Sequence, residues 1–244
     1  MRVRVLGING SPRKYGNSAR MLLVALHAAR RLGASTTIIH LYDYKIAPCQ
    51  GCYSDSPLEC YFPKHGCPIL RGEDEFKRLA EAILSSDVIL VSTPVYWFNV
   101  SGHLKTLIDR LTALENMIHH TGRSLLEGKV AGLMAAGEEA GAAAALSWLA
   151  LTFNMMGVHI PAWGTAYYHG RGDVLESKEA VNDSYNVGRV AVIASTLLKG
   201  KGAGVEHEWY VRLGESDMKE IVGLVRAEVE RLKSESRVAR PWIQ

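Results

Sequence analysis

Cysteine is missing from this 244-residue chain except in one segment, phenylalanine occurs only 4 times, and the net charge is just +3. So small a charge, with no basic stripe interleaved with aromatics, argues against nucleic acid as a partner. The basic residues Arg231, Lys233, Arg237 and Arg240 are separated by acids and read as a solvated helix end. No Ser–His–Asp constellation and no paired-carboxylate arrangement for acid–base catalysis stands out, so hydrolysis through a protein nucleophile has no candidate. The triphosphate loop G-x-x-x-x-G-K-[ST] is absent because no lysine follows Gly16. Gly7 and Gly10 are spaced wrongly for the dinucleotide fingerprint. The apolar run at the N-terminus is too short for a signal peptide, so a cytoplasmic setting is expected. Residues 140–160 lack Asp, Glu, Lys and Arg, yet Ser147, Thr152, Asn154 and His159 make a membrane span unexpected. A helix that is apolar all round suits a subunit interface instead, with Trp148 and Met155 as contacts.

What is present is an ordinary globular composition, 48% apolar and 22% charged. Apolar runs of strand type alternate with runs of helical period along residues 1–200. Strands are expected near 2–8, 36–41, 88–91, 129–135 and 159–167. Helices are expected near 17–32, 73–85, from Ser101 onward, up to about 156, and 175–199. Gly33 stops the first helix and the Ser101 hydroxyl caps the third. Five strand–helix units imply an α/β fold, a parallel sheet covered on both faces. In such sheets ligands gather beyond the carboxyl ends of the strands, which singles out the loops 9–18, 93–100 and 136–141. The segment 201–244 forms an extension, with a helix near 216–233 that could dock on a neighbouring subunit.

The first loop, Gly7-Ile8-Asn9-Gly10-Ser11-Pro12-Arg13-Lys14-Tyr15-Gly16-Asn17-Ser18, passes from a strand into an amphipathic helix. Loop amides and the positive helix end point at one spot, which is how proteins hold phosphate. Ser11, Asn17 and Ser18 add short donors, and Arg13 adds a charged fork. Hydroxyls with little obligatory charge suit a monophosphate such as that of FMN. The second loop carries Tyr96-Trp97-Phe98 at the end of a buried strand, and a planar ligand accounts for three successive aromatics there.

Gly10–Ser18, with Thr93-Pro94-Val95-Tyr96-Trp97-Phe98 and Ser101-Gly102-His103-Leu104-Lys105-Thr106-Leu107-Ile108-Asp109-Arg110, resembles the NADPH-dependent FMN reductase family. More closely it is similar to that family's iron–sulfur flavoprotein branch. The resemblance spans roughly residues 2–200. It implies a flavodoxin-like, doubly wound five-stranded parallel sheet of order 2-1-3-4-5 with a cysteine-bearing insertion and a C-terminal helical extension. It also implies non-covalent FMN, with Ser11, Arg13, Gly16, Asn17 and Ser18 at the phosphate. Pro94, Val95, Tyr96, Trp97 and Phe98 would line the isoalloxazine, and Ala136, Gly137 and Glu138 would approach its other edge. The implied activity is flavin reduction by NAD(P)H, with electrons passed to a quinone, a free flavin or a metal ion. The alternative is an electron carrier fed by a ferredoxin. A homodimer or homotetramer is expected. Lys105 and Asp109, four residues apart, either support the site or form an exposed helix pair.

All four cysteines, Cys49, Cys52, Cys60 and Cys67, fall in the segment 43–72, which also holds four of the 8 prolines. Core packing would scatter them. The related flavoproteins carry C-x2-C-x2-C and a fourth cysteine, whereas here Asp55 stands third and Cys60 comes five residues later. A [4Fe–4S] cluster on the four thiolates, zinc with His65 joining, and disulfides or free thiols all remain open. His119 and His120 read as a solvated turn before Gly122, and His103 as more structural than proton-transferring.

Overall fold

Each strand-type run forms one strand of a single parallel sheet in the computed structural model, which describes residues 2–62, 67, 74–200 and 213–235. The strands are β1 (Arg4–Asn9), β2 (Ser35–His40), β3 (Val88–Pro94), β4 (Val130–Gly137) and β5 (Thr165–His169), in the order β2-β1-β3-β4-β5. β1, β3 and β4 are buried almost throughout, as strands covered on both faces must be, and this is why they read as unbroken apolar runs. The helices are α1 (Asn17–Arg31), α2 (Phe76–Ser85), α3 (Gly102–Arg110), α4 (Thr112–Glu115), α5 (Ile118–Thr121), α6 (Ala142–Met155), α7 (Lys178–Leu198) and α8 (Glu215–Glu235).

Two apolar layers flank the sheet. One packs α2, α3 and α6 against it through residues such as Phe76, Leu104 and Leu149, and the other packs α1 and α7 through Leu22, Leu26 and Val187. The backbones of α1 and α7 touch: a Cβ at Gly188 would lie 2.0 Å from the Ala25 carbonyl oxygen, so only glycine fits there. The C-terminal helix docks on its own chain. Ile221, Val225, Val229 and Leu232 recur at helical spacing and bury against the α1–α7 layer.

Register aligns the carboxyl ends into one rim. Asn9 pairs with His40 on one side and Ser92 on the other, Pro94 with Ala136, and Gly137 with His169. The fifth strand starts later than the sequence pattern placed it. His159 makes only an isolated bridge to Val130, and the turn Pro161–Gly164, closed by a 3.0 Å hydrogen bond, intervenes because proline cannot donate to a ladder. Residues 140–160 fold as α6 and its flanking turns, and no helix among the described residues is long and apolar enough to cross a membrane. Glu73, His65, Arg237 and Arg240 lie outside the described residues.

Candidate functional site

The loop between β1 and α1 is tied to the rim from beneath. Gly10 N–H donates to the Ser92 carbonyl at 2.8 Å, the Ser101 hydroxyl donates to the Gly10 carbonyl at 2.6 Å, and the Ser92 hydroxyl to the Ser18 carbonyl at 2.7 Å. A Cβ on Gly10 would press on Leu104 at 3.1 Å, so the loop lies flat on α3. Gly16 precedes α1 in extended backbone, no side chain caps the helix, and no acid stands in its first turn. The first amides of α1 therefore point outward as donors at the positive helix end. Ser11 and Ser18 are buried beside them and Arg13 is exposed. This donor set, hydroxyls and amides with one mobile cation, fits a phosphate monoester.

Asn17 is differently employed. Its amide donates to the Gly172 carbonyl at 2.8 Å and accepts from Val174 N–H at 3.2 Å. Arg20 meets Asp173 at 2.6 Å, and Arg171 pairs with Glu138. The segment 170–174 after β5 is thus a fourth rim loop, spanning from Glu138 to the start of α1. Sequence reasoning singled out only the loops 9–18, 93–100 and 136–141. The signal available was Gly170-Arg171-Gly172-Asp173, glycines alternating with charges directly after a strand.

The other two loops meet as expected. Val95 N–H donates to the Ala136 carbonyl at 2.9 Å, and a Cβ on Gly137 would lie 3.1 Å from the Val95 side chain. Gly141, at φ +92, leaves no room for a side chain, since a Cβ would stand 2.8 Å from Phe98 Cα. Tyr96 and Asn99 close a tight reversal whose central residues, Trp97 (φ 50) and Phe98 (φ 62), both occupy the left-handed region. For bulky side chains that costs on the order of 1 kcal/mol or more each. The aromatics do not pack inward: Trp97 is 94% exposed and Phe98 63%. Pro94 and Val95 are half-buried at the rim, and Ala136 is buried. Ala142 N–H donates to His169 Nε2 at 3.2 Å, which places the neutral ring's proton on Nδ1.

The cysteine segment follows β2 at the same end of the sheet. Arg110, 1% exposed, meets Asp74 at 2.9 Å and donates to the Ala47 carbonyl at 2.9 Å, while Asp74 accepts from Ala47 and Phe76 N–H. Asn116 donates to the Pro57 and Cys60 carbonyls, and His120 Nε2 lies 3.1 Å from the Cys60 carbonyl. His120, expected in a solvated turn, therefore holds the segment and packs edge-on against Tyr61, with ring centroids 4.6 Å apart. All four cysteines are free, Cys60 and Cys67 buried, Cys49 and Cys52 half-buried. Burial, then the neighbouring Cys67, Cys49 and Cys52, push the Cys60 thiol up to about 11. No group of three or more His, Cys, Asp or Glu among the described residues is arranged to hold a metal ion. His103 is structural, its Nε2 2.9 Å from the Tyr44 carbonyl. Lys105 and Asp109 form an exposed pair at 2.6 Å, with the ammonium over the Trp148 ring.

With that geometry established, comparison with known proteins is informative. The family model described as NADPH-dependent FMN reductase matches residues 3–169. An iron–sulfur flavoprotein of Archaeoglobus fulgidus is 37% identical over 130 residues, 53% of this chain and 52% of that protein. The matched stretch spans about half the length of the first curated relatives. Among solved structures, RosB with bound 8-demethyl-8-formylriboflavin-5'-phosphate superposes with TM-score 0.65 at 19% identity, covering 99% of this chain and 94% of that one. An archaeal flavodoxin gives TM-score 0.52 at 10% identity, covering 80% and 99%. The fold is flavodoxin-like.

Proposed function

The chain belongs to the NADPH-dependent FMN reductase family, and from that premise we propose that it is a cytoplasmic FMN-dependent oxidoreductase using NAD(P)H. Residues 1–200 would form the FMN-binding unit and 201–244 an appended extension. One observation carries the reading: the uncapped, acid-free start of α1 lies beside buried Ser11 and Ser18, on the same rim as loops 93–100 and 136–141, which pack on each other. Bound FMN would supply hydride acceptance from NAD(P)H and delivery of electrons to a small acceptor such as a quinone, a free flavin or a metal ion.

The chain's own residues would bind and orient. Ser11, Ser18, Gly16 and the first amides of α1 would hold the phosphate, with Arg13 closing over it from solvent. Asn17 would act at one remove, since its amide braces Gly172 and Val174. Pro94, Val95 and the 95–98 backbone would edge the ring on one side, and Ala136, Gly137 and Glu138 on the other. The Arg171–Glu138 pair would set the electrostatics of that second edge. No side chain is required as a nucleophile. A homodimer or homotetramer belongs to this reading, with Leu151 and Met155 of α6 lying at the surface.

The decisive experiment adds NADPH or NADH to the anaerobic, FMN-loaded protein and follows the visible flavin band. Bleaching supports the reductase. A second reading, an electron carrier fed by a ferredoxin, is favoured by the four gathered cysteines and by the iron–sulfur flavoproteins among the relatives. Silence towards both nucleotides, with bleaching by reduced ferredoxin, would select it. Because the thiols are not arranged as a metal site among the described residues, no step of the proposed chemistry runs through a cluster.

A further inference from the structure

Asn9 ends β1 fully buried, and each hydrogen-bonding group of its amide has a partner. Its Oδ1 accepts from Ser11 N–H at 3.1 Å, and its Nδ2 donates both to the Arg13 carbonyl at 3.2 Å and to His40 Nδ1 at 3.1 Å. The Ser11 hydroxyl in turn accepts from Arg13 N–H at 3.1 Å. The turn 11–13 is therefore shaped by Asn9, and Asn9 is oriented by His40, its register partner on β2. An amide Nδ2 only donates, so His40 Nδ1 must offer a lone pair and the ring must be neutral with its proton on Nε2.

We propose that His40 is a positioning residue for the phosphate loop, and that its protonation releases FMN by breaking the Asn9 contact and loosening residues 11–13. The inference rests on the reading that this loop holds the FMN phosphate. An imidazolium would set N–H against N–H at Asn9. Flipping the Asn9 amide relieves that clash only by turning Nδ2 towards Ser11 N–H, a second donor. The unflipped arrangement loses the His40 bond, and the flip exchanges it for the loss of both the Ser11 and the Arg13 bonds of the loop.

The groups facing His40 fix the direction. Burial, then Lys14 of the loop, lower its pKa below the ordinary 6.5, while Asp43 after β2 and Glu228 of α8 oppose them. Lys14 is itself paired with Asp43 at 2.7 Å, and Glu228 faces His27 and Arg30 on α1. The ring is thus neutral at neutral pH and charges as the solution is made more acidic than the ordinary histidine value.

The test is FMN fluorescence titration of the full chain at pH about 7.5 and about 5. His40→Asn supplies an amide oxygen where Nδ1 stood and cannot titrate. His40→Leu supplies no acceptor. Wild type should lose affinity on acidification about tenfold more than His40→Asn, the size of one buried hydrogen bond. The phosphate's own titration affects both proteins equally and cancels in the comparison. His40→Leu should bind weakly at both pH values. Nitrogen-15 spectra of the imidazole should show Nδ1 unprotonated and Nε2 protonated at neutral pH, a readout that does not depend on any variant folding. Equal acid dependence in wild type and His40→Asn, or a protonated Nδ1 at neutral pH, overturns the inference while leaving the FMN reading intact. Failure of wild type to bind FMN at either pH overturns both.

Discussion

The phosphate loop and the cysteine segment sit at the same end of one sheet, and different parts of the fold hold them. Residues 9–18 are fixed to one another and to the sheet: Asn9, Ser11 and Arg13 bond among themselves, and Ser92 of β3 and Ser101 at the start of α3 reach in from 74 and 91 positions along the chain. Residues 44–62 form short turns of their own, such as Ser54 N–H to the Gly51 carbonyl and Glu59 N–H to the Ser56 carbonyl, and are gripped by side chains on or beside helices, Asp74, Arg110, Asn116 and His120. A loop tied to the central sheet keeps its form when the helices beside it loosen. A segment clasped by side chains depends on α3, α5 and the residues that flank α2 and α5 being in place.

Breaking the side-chain clasp should produce the largest effect. Arg110→Met leaves the Asp74 carboxylate, 5% exposed, without its cation, and removing one partner of a buried pair costs about 3–5 kcal/mol. Denaturant unfolding should show that loss. Burial raises the Asp74 pKa, but Arg110 with Ala47 and Phe76 N–H outweighs it and holds the carboxyl below the ordinary value. The stability from this group is therefore present above the normal carboxylate range and lost as pH falls through it to the lower folded pKa. Retention of that acid-dependent loss in Arg110→Met would contradict the assignment. The variant should also expose the cysteine segment while leaving FMN affinity nearly unchanged once folded. Equal damage to both regions would erase the distinction between them.

Ser11→Asp attacks the phosphate loop instead. An anion placed against the phosphate should weaken FMN binding by about 2 kcal/mol or more, roughly thirtyfold, with cysteine reactivity unaltered. Unchanged flavin retention by equilibrium dialysis would remove the loop from the binding site. A milder probe sharpens the other side. The Cys60 thiol, pushed up to about 11, should resist alkylation at neutral pH and react only as alkali is approached. Asn116→Ala, which frees the Cys60 carbonyl of one of its two clamps, should cost about 1 kcal/mol and speed that alkylation several-fold. Mass mapping of the labelled cysteine decides it.

The same division explains what could be read beforehand. The parallel sheet and the gathering of the carboxyl-end loops were legible, because strand–helix alternation places those loops on one rim whatever the side chains do, while the strand order came from the family resemblance. The direction of the aromatics was not. Trp97 and Phe98 stand outward because the Tyr96–Asn99 reversal puts both in left-handed backbone, and nothing in residue type announces that. Asn17 looked like a phosphate donor, but its partner at Gly172 is 155 residues away. His120 looked solvated for the same reason, since its partner Cys60 is 60 residues earlier. Composition and period report on neighbours in sequence, and these contacts are made between elements that only the folded sheet brings together.

The smallest expected effect tests the boundary between the two regions. Lys105 and Asp109 lie on α3, between Ser101, which caps the helix and holds Gly10, and Arg110, which clasps the cysteine segment. Their pair is exposed on both sides, 44% and 43%, so its contribution is about 0.3–0.5 kcal/mol and falls with added salt. Lys105→Ala should shift the unfolding midpoint by no more than that and the small further loss of the Trp148 contact. FMN affinity and Cys60 alkylation should both stay at wild-type values. A several-fold change in either would mean that α3 transmits between the loop and the cysteines, so that the two regions work as one unit.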